Sequence, residues 1–279
     1  MPLERRPLGR TGLQVTPLAL TAGGVRGVNP KGLKLTADEV ERAYHEHGVN
    51  TFFANTLFPE VAEGIRRLIR AGHRDDLVLL SMVSLPFGWS VRRAWEKQSR
   101  AFGIDHIDIL LMGWVQGRWY LSGKSWPAME RLRQEGKVRA IGWSTHNRRM
   151  ATELARERRP DVMMIRYNAA HRGAERDIFE PLGDDCPGII GYTATRWGML
   201  MRPPLKDEKP MTAPECYRFA LSHPAVNTVM CAARSRSEVD ENVAGVLQGP
   251  LDEKRLEEVR RFGDLVHAHA RGGKRWMFR

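Results

Sequence analysis

With 279 residues, 42% of them hydrophobic and 28% charged, the chain has the composition of a soluble globular protein, and no apolar run approaches the roughly 20 residues that a membrane-spanning helix needs. The net charge of +11 comes from basic residues dispersed along the chain without a recognised nucleic-acid motif, which favours charged helix surfaces over a nucleic-acid or other anionic partner. The N-terminus lacks the apolar core of a signal peptide, and the three cysteines are widely separated, so we expect a cytoplasmic protein without a disulfide framework or a metal site.

The predicted elements begin with a hairpin over residues 5–15, where Gly9 and Gly12 favour a turn between two short extended segments. Eight apolar runs follow and are predicted strands: Thr16–Leu20, Thr51–Asn55, Leu77–Met82, Ile107–Met112, Val138–Trp143, Val162–Arg166, Gly188–Thr193 and Asn227–Cys231. Several of these runs are almost continuously apolar, which is typical of parallel strands that are buried on both faces.

Helical patterns separate the predicted strands, and two of them begin with a capping box. Thr36 with Glu39 and Thr212 with Glu215 have the spacing at which a hydroxyl and a carboxylate cap the first turn of a helix. Gly48 indicates the end of the first of these helices. A last helix and a tail are predicted over residues 252–279, with the helical pattern ending near residue 269.

Eight strand–helix units in one series, without a Pro- or Ser-rich linker, predict a single domain over residues 1–279. The predicted fold class is α/β, a (β/α)8 TIM barrel with an N-terminal hairpin and a C-terminal helix. A doubly wound open sheet is the alternative, but no Gly-rich dinucleotide fingerprint follows an early strand. The longest irregular segment, residues 196–213, is expected to lie over the C-terminal face of the barrel, where such folds bind ligands.

Residues at five places resemble motifs of the aldo-keto reductase family, and they occur in the family's order. These places are Arg6–Leu13, Gly136–Gly142, Arg166–Asn168, Leu221–Pro224, and Ala233–Ser235 with Asp240–Asn242. The resemblance extends from about residue 5 to residue 247 and implies hydride transfer between NADP(H) and a carbonyl carbon. In that reaction a tyrosine protonates the oxygen, a lysine lowers the pKa of the tyrosine, an aspartate holds the lysine, and a histidine orients the carbonyl group.

The resemblance assigns the four catalytic positions to Phe53 for the aspartate, Phe58 for the tyrosine, Met82 for the lysine and Gly113 for the histidine. A phenyl ring cannot donate a proton, and a thioether cannot carry a positive charge. The chain therefore resembles a degenerate member of the family that lacks the catalytic tetrad. We predict that it does not perform ordinary carbonyl reduction.

The resemblance also places six residues at a cofactor, namely Ser144 and Tyr192 at the nicotinamide and Arg234, Ser235, Glu241 and Asn242 at the adenosine and its 2′-phosphate. Two further positions depart from the family, because the usual asparagine after Ser144 is Thr145 and the usual glutamine of the next strand is Met164. NADP(H) binding is therefore expected to be possible, with a weakened clamp on the nicotinamide. The alternative is that the residues around Arg234 form only a capped, salt-bridged helix start.

Three side chains are candidates for substitute proton donors: His146, just past the fifth predicted strand, and Tyr167 and Tyr192 at strand ends. Each also has an ordinary interpretation, as a hydrogen-bonded surface histidine or as a packing aromatic. The residues predicted to line a substrate pocket are Asn55, Phe58, Trp114, Arg196 and Trp197, on a rim that also includes Ser84, Thr145, Arg166 and Thr193. This aromatic, weakly polar lining predicts a small apolar or aromatic ligand.

Three functions are compatible with these residues. The first is a ligand- or nucleotide-binding protein, a pseudoenzyme that no longer reduces carbonyls. The second is an enzyme that uses the same pocket for non-redox chemistry, such as cyclisation, elimination or isomerisation, which positioning alone can promote. The third is an NADP(H)-dependent oxidoreductase with a different proton donor.

Overall fold

The computed structural model describes residues 1–22, 35–121, 124–202 and 208–272. The strands in chain order are β1 Arg6–Pro7, β2 Gln14–Val15, β3 Leu18–Ala22, β4 Thr51–Phe53, β5 Val78–Val83, β6 Ile107–Met112, β7 Val138–Thr145, β8 Val162–Arg166, β9 Gly188–Tyr192 and β10 Val226–Ala233. The α-helices are α1 Ala37–His47, α2 Pro59–Arg70, α3 Gly88–Phe102, α4 Ser125–Gln134, α5 Arg148–Arg158, α6 Glu180–Leu182, α7 Ala213–Leu221, α8 Arg236–Val246 and α9 Glu253–Gly272. A π-helical turn, Glu175–Phe179, leads directly into the short α6.

Strands β3 to β10 form a closed parallel barrel in which chain neighbours are also sheet neighbours. The barrel closes where β10 pairs with β3, from Val229 opposite Leu18 to Ala233 opposite Ala22. Each barrel strand is followed in the chain by a helix, and α9 is added after the eighth unit. The predicted (β/α)8 barrel with a C-terminal helix is confirmed, and each of the eight predicted strands is found.

Several strand boundaries differ from the prediction by one or two residues, and at two of them polar side chains turn the backbone. The first barrel strand begins at Leu18 rather than Thr16, whose hydroxyl donates to the carbonyl oxygen of Leu18 at 2.9 Å. The second barrel strand ends at Phe53 rather than Asn55, whose side-chain oxygen accepts a hydrogen bond from the amide of Leu57 at 2.9 Å. Such side-chain bonds to a backbone two residues away open a turn in place of a continued strand.

The antiparallel pair β1–β2 confirms the predicted hairpin and covers the N-terminal end of the barrel. Its turn residue Leu8 is fully buried. Asn227 in β10 donates through Nδ2 to the carbonyl oxygen of Pro7 at 3.1 Å. Gly9, with a φ of +50°, packs so closely on the start of β9 that an added Cβ would overlap the amide nitrogen of Gly188. The hairpin is thus in direct contact with the strand starts.

Both predicted capping boxes are confirmed. The amide of Thr36 donates to Glu39 at 2.7 Å, and the amide of Thr212 donates to Glu215 at 2.8 Å, while each threonine hydroxyl accepts from the amide of its glutamate. Gly48 ends α1 with a φ of 70°, in the left-handed region that glycine adopts without strain. None of the described helices is both long and apolar enough to cross a membrane.

The C-terminal helix α9 lies against the loops that follow β8 and β9. Arg172 donates to the carbonyl oxygen of Arg260 at 2.9 Å, and Arg196 donates to that of Val266 at 2.8 Å. These two loops belong to the end of the barrel at which the strands finish. The helix therefore supports the side of the barrel on which (β/α)8 folds carry their sites.

The predicted irregular segment over residues 196–213 is described in part. Met199–Met201 form a 3-10 turn, and the amide of Met211 donates to the carbonyl oxygen of Leu200 at 3.0 Å, so the two ends of the segment meet. Residues 203–207 of this segment lie outside the described residues, as do residues 273–279 of the predicted tail.

Candidate ligand site at the C-terminal end of the barrel

Two pairs of neighbouring residues lie at or just after the ends of β4, β5 and β6. The buried rings of Phe53 and Phe58 meet edge to face, with centroids 5.6 Å apart and planes at 76°. Gly113 follows β6 and donates through its amide to the carbonyl oxygen of Val83 at 2.7 Å. A Cβ built on Gly113 would overlap Sδ of Met82 and lie 2.6 Å from its Cγ. The Met82 side chain therefore occupies the space that a side chain at position 113 would need.

A polar group joins the ends of β7 and β9. The Tyr192 hydroxyl lies 3.0 Å from Nε2 and 3.2 Å from Nδ1 of His146, and it is also hydrogen-bonded to the side chain of Ser144. β7 continues to Thr145, two residues beyond its predicted end, which brings Ser144 onto the strand. The structure thus brings together two of the three candidate proton donors.

The pKa shifts of this pair follow from desolvation. Burial raises the pKa of Tyr192 to about 12, opposed by the positive charge of Arg166 and by the bond to Ser144. Desolvation lowers the pKa of His146, and the charge of Arg166 lowers it further, although the ring is exposed at the rim. The imidazole is therefore neutral at pH 7, where it can accept a proton while the phenol donates one.

The third candidate donor, Tyr167, lies elsewhere. Its hydroxyl donates to Glu175 at 2.6 Å, and its ring contacts Phe179 and Phe219, with centroids 5.4 and 5.7 Å away. Burial, followed by the bond to Glu175, raises its pKa well above the usual value. The structure therefore places the ring and the hydroxyl of Tyr167 in the layer between the strands and the helices, outside the barrel interior.

The residues assigned to the adenosine end meet at the start of α8. Ser235 caps this helix by accepting from the amide of Glu238 at 3.3 Å. The guanidinium of Arg234 is bound by Glu238, with Nε and Nη2 at 3.0 and 2.7 Å from its Oε1. Asn242 is buried, and its Nδ2 donates to the sulfur of Cys231 at 3.5 Å. Arg234 and Ser235 thus form the capped, salt-bridged helix start, while Glu241 lies exposed in the second turn of α8.

Exposed apolar side chains are concentrated at this end of the molecule. Of the ten large hydrophobic side chains that are exposed among the described residues, eight lie on loops or helix starts that follow β4, β5, β6 and β9: Leu57, Leu85, Phe87, Trp89, Trp114, Trp119, Trp197 and Met201. We call these eight residues the apolar collar. Because exposed apolar side chains are otherwise scattered over a protein surface, their concentration indicates a binding region.

The collar includes residues that the sequence prediction missed. Leu57, Leu85 and Phe87 were not among the predicted pocket residues. Their signal in the sequence is a set of apolar residues placed directly after a strand, before a helical period begins. Trp114 and Trp197 were predicted, and both belong to the collar.

Backbone strain occurs at the same end. Trp114, Thr193, Arg196 and Trp197 have φ values between 49° and 55°, in the left-handed region that non-glycine residues rarely adopt. Such conformations persist where surrounding contacts hold them and are found most often at functional sites. Arg196, one of the predicted pocket residues, is buried and directed at α9, whereas the predicted Asn55 forms the turn before Phe58.

No group of three or more histidine, cysteine, aspartate or glutamate side chains within the described ranges is arranged to hold a metal ion.

Comparisons with known proteins agree with the barrel fold. The profile of the Aldo/keto reductase family matches residues 29–215. The chain is 22% identical to L-galactose dehydrogenase of Arabidopsis thaliana over 297 residues, covering 92% of this chain and 93% of that protein. It is 32% identical over 120 residues to an uncharacterised oxidoreductase of Bacillus subtilis, covering 39% of this chain and 40% of that protein.

The fold is similar to that of an aldo-keto reductase from Bacillus halodurans in its holo form, with a TM-score of 0.75, 20% sequence identity, and coverage of 93% of this chain and 96% of that one. This likeness supports the architecture of the barrel. The family profile covers more than half of the chain, and its match lies in the segment that carries β4 to β9 and their loops. The chain therefore belongs to the aldo-keto reductase family.

Proposed function

We propose that this protein is a ligand-binding member of the aldo-keto reductase family that does not reduce carbonyls by the family's tyrosine-dependent mechanism. The observation that carries the proposal is the contact between Met82 and Gly113, where the thioether fills the place of a side chain at position 113. The edge-to-face pair Phe53 and Phe58 supports it. The four positions that the resemblance assigns to the tetrad thus form complementary apolar contacts and supply no proton donor.

The apolar collar supports a small ligand with an aromatic or aliphatic body. Three exposed tryptophans near the strand ends, Trp89, Trp114 and Trp197, provide large, flat contact surfaces at low cost in conformational entropy. The buried phenyl pair Phe53 and Phe58 continues this apolar surface into the barrel.

Members of this family generally bind NADP(H), and the residues of this chain fit that cofactor unequally at its two ends. At the adenosine end the matching arginine and serine are present, but Arg234 is already neutralised by Glu238. At the nicotinamide end Ser144 is engaged by Tyr192, and the buried Met164 offers no amide to a carboxamide group. We therefore propose weak binding through the adenosine end, and we assign no hydride step to this site.

A second candidate function is catalysis by the pair Tyr192 and His146. The 3.0 Å separation between the Tyr192 hydroxyl and Nε2 of His146 favours it, because a neutral imidazole beside a phenol can move a proton in either direction. Such a pair would suit an isomerisation or elimination that needs an acid and a base but no redox cofactor.

The proposed loss of carbonyl reduction is tested with NADPH and 4-nitrobenzaldehyde. We expect NADPH absorbance at 340 nm to decline no faster with the protein than with buffer, because Phe58 and Met82 stand at the positions of the tyrosine and lysine that protonate an alkoxide. Steady turnover would contradict the proposal. If the wild-type protein turns over and Tyr192→Phe does not, the proton donor is Tyr192, which belongs to the pair of the second candidate function.

The proposed adenosine-end contact is tested by titrating the protein into NADPH and following the nucleotide's fluorescence. Glu238→Gln releases the charge of Arg234 while keeping an oxygen that can accept from the Arg234 amide, so we expect the Kd to fall about threefold to fivefold. Arg234→Glu should abolish the remaining binding. Arg10→Glu, a charge reversal in the hairpin turn, serves as the control. Unchanged affinity in both α8 variants would rule out this contact.

A further inference from the structure

Two arginines are buried among the described residues, and their surroundings differ. Arg196 donates to the carbonyl oxygen of Val266 at 2.8 Å. Arg166, the last residue of β8, has 8% of its surface exposed, yet across the described part of the chain its guanidinium makes no side-chain hydrogen bond and no ion pair. A buried charge is costly unless something neutralises it or hydrogen-bonds to it. Arg166 is therefore a cation that the described chain leaves without a partner.

The direction of Arg166 follows from the alternation of side chains along a strand. Tyr167, the next residue, contacts Phe219 of the outer helix α7. Since successive side chains point to opposite faces, Arg166 points to the interior of the barrel at the end where the strands finish. In the sheet it is the register partner of Tyr192. The guanidinium therefore lies inside the mouth of the barrel beside the Tyr192 side chain.

Two other arginines that are largely withdrawn from water have carboxylate partners. The Arg42 side chain, 12% exposed, is 2.7 Å from Asp240. The Arg74 side chain, 14% exposed, is 3.0 Å from Asp108. The chain thus supplies a counter-charge for these two arginines and supplies none among its described residues for Arg166.

Within the described ranges, no carboxylate is among the titratable groups that interact with Arg166. The titratable groups that interact with its charge are Tyr192, His146, His171, Arg148 and Arg196. Arg148 is engaged by Asp177 at 2.8 Å on the side of the π-helical turn. Burial lowers the pKa of Arg166, and the charge of Arg148 lowers it further. This positive, partly desolvated environment favours a negatively charged group.

We propose that Arg166 binds the carboxylate of a small organic anion whose aromatic or aliphatic body lies against the apolar collar. This inference rests on the ligand-binding function proposed above and names the chemical class of the ligand. A guanidinium presents two parallel N–H donors that match the two oxygens of a carboxylate. Tyr192, the register partner of Arg166 on the neighbouring strand, interacts with its charge and carries a hydroxyl that can donate to an anion.

The test compares two probes of the same shape, naphthalene-2-carboxylate and naphthalene-2-carboxamide, by isothermal titration calorimetry at pH 7. We expect the wild-type protein to bind the carboxylate about tenfold to hundredfold more tightly than the amide. Arg166→Gln should bring the two Kd values within about twofold of each other. Arg166→Lys should retain an intermediate preference, because an ammonium keeps the charge but not the paired donors.

Arg10→Gln is the matched control, since it removes an exposed arginine from the hairpin at the opposite end of the barrel and should leave the preference unchanged. Equal affinity of the wild type for both probes would overturn the anion site while leaving the ligand-binding function intact. A preference that survives in Arg166→Gln would overturn the role of Arg166. Failure of both probes to bind would overturn the anion site and the ligand-binding function together.

A second measurement keeps the inference independent of the probes. Because Arg166 is a buried charge without a partner among the described residues, Arg166→Met should raise the midpoint of thermal unfolding by about 2 to 4 °C in the absence of ligand. A residue that serves ligand binding at a cost to stability behaves in this way. A lower midpoint in Arg166→Met would show that the guanidinium stabilises the ligand-free protein, and it would overturn the inference.

Discussion

Gly142→Ala is expected to unfold the barrel or to leave the protein largely insoluble. Gly142 lies in β7 opposite Val162 of β8, and an added Cβ would overlap the carbonyl oxygen of Val162 and lie 2.7 Å from its carbonyl carbon. The obstacle is backbone held in the sheet, so β7 and β8 would have to separate. We expect the free energy of unfolding to fall by about 4 kcal/mol or more, a large part of the stability of a typical domain.

Gly113→Ala is the matched comparison for this prediction. There the added Cβ would overlap the Met82 side chain, whose flexible thioether can rotate away. We expect a loss below about 1 kcal/mol. Urea unfolding followed by circular dichroism measures both variants. An equal loss of unfolding free energy in the two variants would show that β7 and β8 can accommodate a side chain at position 142, and it would contradict the prediction.

Acidification from pH 7 to pH 4.5 is expected to lower the free energy of unfolding, and His171 is expected to account for about 2 kcal/mol of the loss. His171 is buried, and its Nδ1 lies 3.2 Å from the side-chain oxygen of Asn168. Burial is the largest cause that lowers its pKa, which falls from 6.5 to about 3. The rest of the lowering comes from the positive charges of Arg166, Arg196, His267 and Arg148.

The sign of this effect follows from proton uptake. Between pH 6.5 and pH 3 the unfolded chain protonates position 171 and the folded chain does not, so stability is complete above pH 6.5 and declines as the pH falls towards 3. Asp177 contributes separately, because its carboxylate is held by Arg176 and Arg148 with a pKa of about 2 and titrates below the measured range.

His171→Gln removes the titrating group and is expected to flatten the dependence on pH between 7 and 4.5. Part of the dependence should remain, because desolvation also lowers the pKa values of His146 and His223. Urea unfolding at pH 7, 5.5 and 4.5 gives the slope for each protein. An identical slope in wild type and His171→Gln would mean that His171 is protonated in the folded state.

The barrel and its helix ends could be predicted from the sequence because their signals are local. Continuous apolar runs predicted the eight parallel strands, and the pair Thr212 and Glu215 predicted a helix start that the structure confirms. The strand limits were less accurate, since the turn at Asn55 depends on a side-chain bond that no apolar pattern reveals.

The candidate site could be predicted only as a set of positions. The residues at the tetrad positions were visible in the sequence, but the occupation of the space above Gly113 by Met82 depends on the register between β5 and β6. The pairing of Tyr192 with His146 likewise joins two residues 46 positions apart. That Arg166 has no carboxylate partner among the described residues could not be predicted, because it depends on which parts of the chain the fold brings close to the end of β8.

The hairpin formed by β1 and β2 has a kinetic consequence. It covers one end of a barrel whose interior is filled by side chains, so small molecules approach the strand ends from the opposite side. Two molecules that bind there at different depths would enter in order of depth, and the deeper one would leave last. Such an order would follow from the hairpin that covers the N-terminal end of the barrel, whichever side chains contact the bound molecules.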